Sequence, residues 1–280
     1  MIDLHLHTTA SDGILPPRDL VARAAAAGLR TISVTDHDTT GGLAEAHDAA
    51  GRLGLTLIAG IEITAVEAGR DVHVLGYFID ADSRAFTEFL RAQRADRLRR
   101  VREMCRRLVE MGFGVAEEDV FDPSVDHAGR SVGRPAIADA LVRAGHARDR
   151  DDAFARLLGR GSMAYVPRTG VGVAEVVGII DDAGGISSLA HPVLAGIDEL
   201  VPSLAARGLT ALEARHSDHD AAVEAHYRAL ASSLGLAVSG GSDFHGDGAA
   251  NPAALGVVTL DPDDFRTLVA RADRRRKSVR

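Results

Sequence analysis

The chain has very little cysteine and lysine, and it has no long apolar run. Its single cysteine, Cys105, cannot form an internal disulfide, which fits a reducing cytoplasm. No apolar stretch approaches the roughly 20 residues of a membrane span, and the first residues lack the basic and apolar regions of a secretory signal. From these absences we expect a cytoplasmic protein with no membrane partner, and no obligate protein partner is evident.

The shortage of lysine excludes two kinds of active site that depend on a lysine side chain. Lys277, the only lysine, lies in the basic tail RRRKSVR, so the chain has no Walker-type phosphate loop. A carbamylated lysine, which bridges the metals of many barrel hydrolases, is equally badly placed. No GxSxG nucleophile elbow is present. The net charge is −8, but arginines concentrate between residues 91 and 168. Because Lys277 is the only lysine, the cationic side chains that contact an anionic substrate must be arginines.

Short apolar segments alternate with helical patterns along most of the 280 residues. The segments that predict strands are MIDLHLH, TISVT, LTLIA, VHVLGYF, ISSLA, LTALEA, LAVSG and LGVVTL. Strand–helix alternation predicts an α/β fold with a parallel sheet. The number of repeats favours a barrel of seven or eight units over an open sheet.

The alternation is interrupted between residues 83 and 170. A long polar helix is predicted first, over SRAFTEFLRAQRADRLRRVREMCRRLVEMG, and shorter helical pieces follow. We interpret residues 83–170 as a helical insertion over one mouth of a barrel formed by residues 1–82 and 171–280. On this helix Cys105 is expected to face solvent.

Histidine and acidic residues cluster at the ends of the predicted strands. In DLHLH, His5 and His7 are two residues apart and project to the same side of a strand, where two imidazoles can bind one metal ion. Asp12 follows in the next turn. Later strands end in the other candidates, which are His37, Glu62, His191, Asp243 and His245. Because the carboxyl ends of barrel strands converge on one mouth, these side chains are expected to meet there.

The ligand types limit the choice of metal. Mixed imidazole and carboxylate ligands suit zinc, manganese or iron. The set is too large for one ion, which takes roughly three or four protein ligands in a catalytic site, so two or three ions are expected. Glu62 can bridge ions with its two oxygens. One histidine near a strand end is usually structural, but five such strand ends are hard to obtain by chance. His73 begins the apolar run VHVLGYF, and the pattern leaves open whether it is a core residue.

The ordered motifs DLHLHTTASDG, VTDHDT, GIEIT, VHVLGY, AHP and SDFHG resemble those of the PHP (polymerase and histidinol phosphatase) family, and most closely its stand-alone nucleotide phosphatases. The resemblance extends from residue 3 to residue 246. It implies a distorted (β/α)7 TIM-like barrel with a trinuclear metal site, often manganese. The implied ligands are His5, His7, Asp12, His37, Glu62, His73, His191, Asp243 and His245.

The insertion resembles the same branch of the family. SVGRPAIADALV is similar to a GRPH segment whose arginine meets the substrate phosphate, which implies that role for Arg134. Ala136 stands where histidine is usual, so any contact made by that histidine is absent. Arg94, Arg97 and Arg100 lie along one helical face, and the resemblance implies that Arg97 and Arg100 also bind substrate. The alternative for each is a solvated basic stripe.

We therefore expect a metal-dependent phosphatase acting on phosphate monoesters. A metal-bridging hydroxide held by Glu62, Asp243 and His245 would attack phosphorus in line. His216 and a metal-bound water are the candidates for protonating the leaving alcohol. The resemblance favours 3′,5′-nucleoside bisphosphates, such as 3′,5′-adenosine bisphosphate, and allows 5′-to-3′ trimming of short RNA. The alternatives are a histidinol phosphatase, a non-catalytic metal-binding PHP module, and a cyclic-amide hydrolase, which the missing lysine disfavours.

Overall fold

Seven strands form one sheet whose spatial order is the chain order. The computed structural model describes residues 1–121, 129–247 and 254–278. The strands are β1 Ile2–Leu6, β2 Thr31–Val34, β3 Thr56–Glu67, β4 Arg70–Tyr77, β5 Ile186–Leu189, β6 Ala211–Arg215 and β7 Ala237–Gly240. A parallel bridge between Leu6 and Phe244 joins β1 to the segment after β7 and nearly closes the sheet into a barrel. The predicted α/β barrel of seven strands is confirmed.

Two details of the predicted sheet are wrong. β4 runs antiparallel to both β3 and β5, whereas every other neighbouring pair is parallel. The cause is a tight hairpin at Ala68 and Gly69, both of which have positive φ, as in a type I′ turn. The segment LGVVTL is not a strand. Gly256 turns the backbone at a φ of 82°, and a hydrogen bond from the Leu260 N–H to the Ile2 carbonyl ties this segment to β1.

Helices follow most of the strands and cover the outside of the sheet. They are α1 Pro17–Ala26, α2 Leu43–Leu53, α3 Arg84–Glu110, α4 Glu117–Val120, α5 Arg134–Arg143, α6 Arg150–Ala153, α7 Val173–Asp182, α8 Pro192–Ala195, α9 Val201–Ala206, α10 Ala221–Ser233 and α11 Pro262–Ser278. A π-helical turn, Phe154–Leu158, continues α6, and a 3-10 turn, Asp198–Leu200, precedes α9. Local signals set several ends: Pro17 begins α1, and Gly54 ends α2 in the left-handed conformation.

The long helix α3 packs against two hydrophobic cores. Phe86 and Leu90, in its first part, join the core of the barrel. Its second part forms a separate core with α5 and the π-helical turn, and Cys105 lies there with 2% of its surface exposed. The expectation of a solvent-facing Cys105 is therefore wrong, because α5 covers that face of α3. The division into a barrel (residues 1–82 and 171–280) and an insertion (residues 83–170) stays a prediction.

In the described part of the chain, no helix combines the length and apolar character that crossing a bilayer requires.

Candidate metal centre

All nine residues that the sequence pointed to lie at one mouth of the barrel. His5 is in β1 and His7 directly follows it, while His37, His191 and Asp243 follow β2, β5 and β7. The antiparallel direction of β4 explains the position of His73. β4 starts at the mouth, and His73 lies near its beginning. There His73 pairs with Thr64, which is two residues beyond Glu62 in β3.

Glu62 lies at the centre of this group, and its carboxylate is 1% exposed. Its oxygens lie within 3.4 Å of five imidazoles. Oε2 faces one set of nitrogens, which are His5 Nε2 at 3.4 Å, His7 Nε2 at 3.2 Å and His37 Nδ1 at 3.0 Å. Oε1 faces His73 Nδ1 at 2.8 Å and His191 Nε2 at 3.1 Å. A carboxylate whose two oxygens face different imidazoles can bridge two cations.

Asp243 and Asp12 supply the other carboxylates of the centre. Asp243 Oδ1 lies 3.2 Å from His5 Nε2 and 3.1 Å from His7 Nε2. Asp12 lies 3.6 Å from His37 Nε2 and 3.4 Å from His245 Nε2. Four compact sets of potential ligand atoms result among the described residues, namely His7 with Asp12, His37 and His245; His5 with His7, Glu62 and Asp243; His37 with Glu62 and His73; and His5 with Glu213 and His216.

The unsatisfied polar atoms test whether a metal fits here. Several ring nitrogens and carboxylate oxygens are buried without a hydrogen bond among the described residues, although they approach one another closely. These atoms include His5 Nε2, His7 Nε2, His37 Nδ1, His73 Nδ1, Asp12 Oδ1 and Glu62 Oε2. Buried polar atoms in proteins are normally hydrogen-bonded, so a group of unsatisfied ones calls for an explanation. Nitrogen and oxygen atoms that converge without directional hydrogen bonds suit cations bound between them.

The charge states agree with cation binding. Burial opposes charge on Glu62, Asp12 and Asp243, but the surrounding imidazoles hold the pKa of each carboxyl well below its ordinary value. Burial, helped by the neighbouring imidazoles of His7 and His73, lowers the pKa of His37 to about 3. Ionised carboxylates and neutral imidazoles are the forms that bind metal ions. The same carboxylates raise the pKa of the imidazoles of His5, His7, His191 and His245, so cation binding would release protons from these rings.

The backbone at the mouth is strained and crowded. His191 and Asp243 have positive φ, 25° and 54°, which is uncommon for residues other than glycine and clusters at functional sites. Gly241 passes so close to β1 that a Cβ atom would lie 2.3 Å from the His5 backbone nitrogen. Asp3 joins the same two segments, because its Oδ1 accepts hydrogen bonds from the N–H groups of His5 and Ser242. These contacts hold the segment of His5, near the start of the chain, next to the segment of Asp243 that follows β7.

Sequence reasoning did not identify Glu213, a fully buried residue of β6. Its Oε1 lies 3.0 Å from His5 Nδ1, and its Oε2 accepts a hydrogen bond of 2.8 Å from the His191 backbone N–H. Glu213 therefore orients one imidazole and fixes the strained backbone of another. The sequence did contain a signal for Glu213, because it is an acidic residue within the apolar segment LTALEA, one position before the end of that segment.

His216 follows β6 and is 2% exposed. Its Nδ1 accepts a hydrogen bond from the Asp218 N–H, so in the neutral ring the proton lies on Nε2. Nε2 is 3.6 Å from Asp243 Oδ2. His216 thus presents an N–H group to a carboxylate of the centre.

The three predicted substrate arginines lie beside the centre in a network of buried charges. Arg97 pairs with Asp38 and donates a 2.9 Å hydrogen bond to the Thr64 hydroxyl. Arg100 donates to the Val166 carbonyl at 2.6 Å. Arg134 is 25% exposed and lies 3.4 Å from an Asp71 oxygen. Arg168, which the sequence did not single out, lies 3.5 Å from the same Asp38 carboxylate that Arg97 contacts.

A cavity of about 420 Å³ opens over the centre. Its described lining includes ligand candidates from several strands together with Pro135, Arg150, Phe154 and Leu194. Arg97, Arg100 and Arg134 are not among the described residues that line it, and Arg150 is. The mouth therefore combines buried metal-type ligands, an apolar wall and a guanidinium group.

The fold and the centre define a PHP-type phosphoesterase. The PHP domain family matches residues 3–129. The chain is 33% identical to a 3′,5′-nucleoside bisphosphate phosphatase of Chromobacterium violaceum over 254 residues, which cover 88% of each protein. A solved structure from Bifidobacterium adolescentis, a candidate metal-dependent phosphoesterase, superposes with a TM-score of 0.88 at 36% identity over 96% of both chains. The chain belongs to the PHP family and is a metal-dependent phosphoesterase.

A second relative is named for a different activity. The 5′-3′ exoribonuclease Rnm of Escherichia coli strain K12 is 34% identical over 250 residues, which cover 87% of this chain and 84% of the relative. The two curated relatives thus share the phosphoester bond as their target and differ in the size of the molecule that carries it.

Proposed function

We propose that this chain hydrolyses a phosphate monoester of nucleotides, with 3′,5′-nucleoside bisphosphates such as 3′,5′-adenosine bisphosphate as the preferred substrates. The observation that carries the proposal is the convergence of unsatisfied imidazole and carboxylate atoms beneath an open cavity. The C. violaceum relative, named for that activity and matching along nearly the whole chain, supports this substrate class.

The nine residues named above would hold two or three divalent ions. Their mixed nitrogen and oxygen ligands suit manganese, and zinc and iron(II) accept the same ligand types. Glu62 would bridge ions, since its two oxygens face different imidazoles. When bound, such ions lower the pKa of an attacking water and neutralise charge on the phosphoryl oxygens.

The protein's own groups have separate tasks in this reaction. Glu62, Asp243 and His245 would hold the attacking hydroxide between the ions. Glu213 orients His5 through Nδ1, and His216 Nε2 faces Asp243 Oδ2 at 3.6 Å. The apolar wall of Pro135, Phe154 and Leu194 would exclude water from one side of the bound substrate.

The substrate contacts of Arg134, Arg100 and Arg97 stay predictions. Arg134 has the most accessible side chain of the three, and its guanidinium group lies over the rings of Phe154 and Tyr165. Arg97 and Arg100 already bind Asp38, Thr64 and Val166, so direct contact with a phosphate would require these bonds to rearrange.

The second candidate function is the removal of nucleotides from the 5′ end of short RNA, the activity for which the E. coli relative is named. The test is to assay the manganese-loaded protein on adenosine 3′,5′-bisphosphate, a 5′-phosphorylated short RNA and histidinol phosphate. We expect the bisphosphate to have the largest kcat/KM, and metal-stripped protein to be inactive.

A variant pair sharpens the assay. Glu62→Ala should abolish hydrolysis, whereas His226→Ala, which removes an exposed imidazole on α10, should leave it unchanged. The proposal fails if the loaded protein releases neither phosphate nor mononucleotide above the metal-stripped control. Faster turnover of histidinol phosphate would move the function to the histidinol phosphatases.

A further inference from the structure

A second cavity of about 170 Å³ adjoins the one over the metal centre. The two cavities share three described lining residues, Asp12, Pro135 and Arg150. The second cavity extends from this shared wall toward the first residues of α5, and its lining includes Ala136 and Arg130. A ligand that reaches the metal centre with one end can therefore extend into the second cavity past Arg150.

Arg150 is held in place at this junction. Its Nε and Nη2 groups donate to the two oxygens of Asp139, at 2.7 and 2.8 Å. Its side chain is 19% exposed. This two-pronged pair occupies one edge of the guanidinium plane and fixes its direction. The hydrogen bonds of Arg150 to described residues use Nε and Nη2 and not Nη1, so Nη1 is the group that a ligand would reach.

Ala136 makes room beside this arginine. It lies in the first turn of α5, and its methyl group contributes to the wall of the second cavity. A larger side chain at this position would take part of a space of only about 170 Å³. Position 136 and Arg150 thus control the size and the charge of the same space.

We propose that Arg150 binds the non-scissile phosphate of the substrate and that the second cavity accommodates this group. The inference rests on the proposed function, because it presupposes that a phosphate at the metal centre is the one removed. The recognised group is the phosphate on the other esterified position of the same ribose, 5′ if the 3′ phosphate is removed and 3′ if the 5′ phosphate is removed. It is either a terminal phosphate or the diester that continues an RNA chain. A guanidinium group with one edge fixed and the other free is well suited to bind a phosphate oxygen.

The metal centre itself is a poor place for this second phosphate. Asp12, Glu62 and Asp243 line the first cavity, and they would repel an anion that the bound cations do not neutralise. The described lining of the second cavity is less acidic, because two arginines, Arg130 and Arg150, balance two acidic residues, the shared Asp12 and Asp139.

The test compares wild type, Arg150→Ala, Arg150→Lys and Ala136→Leu. Each variant is assayed with manganese on adenosine 3′,5′-bisphosphate, on the 3′- and 5′-monophosphates of adenosine, and on a 5′-phosphorylated dinucleotide. Loss of a hydrogen bond to a charged group predicts a fall in kcat/KM for the bisphosphate of about 10- to 100-fold in Arg150→Ala. The better monophosphate should change by less than about threefold, because it lacks the contact.

The other variants distinguish the contribution of the charge of Arg150 from that of the space in the second cavity. Arg150→Lys should restore part of the loss, and Ala136→Leu should reproduce it by filling the cavity while leaving the charge in place. Arg148→Ala, whose side chain is 83% exposed two residues earlier, is the matched control and should behave as wild type. A loss on both the bisphosphate and the dinucleotide indicates that either phosphate occupies the site. A loss on the bisphosphate alone assigns it to a terminal phosphate.

Equal losses on the bisphosphate and on the better monophosphate in Arg150→Ala would overturn the inference and leave the proposed function standing. If the wild type hydrolyses no nucleotide, the proposed function fails, and calorimetric binding of a slowly hydrolysed phosphorothioate bisphosphate by the manganese-loaded protein decides the inference instead. Weaker binding by Arg150→Ala than by wild type would then support it. Equal binding, or none by the wild type, would overturn it.

Discussion

Asp38 is the residue whose neutralisation tests the buried charge network most directly. It follows β2, has no exposed surface and lies between two guanidinium groups, those of Arg97 on α3 and Arg168. It also accepts a hydrogen bond of 2.9 Å from the Thr64 N–H. Asp38→Asn keeps the size of the side chain but removes the charge that both arginines face.

The expected cost follows from burial. Arg97 and Arg168 are 6% and 9% exposed, so water cannot replace the lost carboxylate. Removing one partner of a buried ion pair typically destabilises a protein by about 3–5 kcal/mol. Asp71 offsets part of the charge on Arg168, since its Oδ2 lies 3.9 Å from Nε, and we therefore expect the lower part of that range.

The free energy of unfolding should be measured by urea titration with a chelator present, so that a change in metal binding does not contribute. Glu88→Gln, which breaks the exposed pair with Arg84 on the same helix, is the control and should cost about 0.5 kcal/mol or less. A cost for Asp38→Asn below about 1 kcal/mol would refute the reasoning, because the arginines would then be solvated or paired elsewhere.

Three further outcomes are expected. Chelation should lower the Tm of the wild type but not that of Glu62→Ala, because a ligand present at 100 times its Kd adds about 2.7 kcal/mol to stability. Equal shifts of the two proteins in thermal denaturation would contradict this. Glu213→Gln should weaken metal affinity by about 10- to 100-fold in a competition titration, whereas Glu224→Gln, which only breaks pairs with Arg215 and Arg228, should not. Burial raises the pKa of Cys105 to about 11, so roughly one thiol in a thousand is ionised at pH 8. Alkylation of the native protein should therefore be slow, faster as the pH rises, and rapid in urea. Fast labelling of the native protein would contradict the burial of Cys105.

Much of the fold and the location of the centre could be predicted because the relevant rules are local. Two residues at i and i+2 share a strand face, and barrel topology collects strand ends at one mouth. His5 and His7, at the end of β1, follow the first rule, and His191 and Asp243, which come after β5 and β7, follow the second. The direction of β4 could not be predicted, because it depends on Ala68 at a φ of 47°, a conformation that alanine seldom adopts.

The arginines show where sequence reasoning stops. Arg97 and Arg100 have the spacing of a solvated basic stripe, but both are buried. Their partners, Asp38 and the Val166 carbonyl, lie 59 and 66 residues away in the chain. Arg150 carried no signal at all, because its place at the junction of two cavities depends on how α5 and α6 pack over the mouth.

The near closure of the barrel between Leu6 and Phe244 governs when the centre can assemble during synthesis. His5 and His7 emerge from the ribosome first, but Asp243 and His245 emerge only after most of the chain has been made. Until then a nascent chain lacks the two ligands that follow β7, although the earlier ones have already been made; these are His5, His7, Asp12, His37, Glu62, His73 and His191. Full capture of the cations must therefore follow the last long-range pairing, and metal uptake would report the completion of folding.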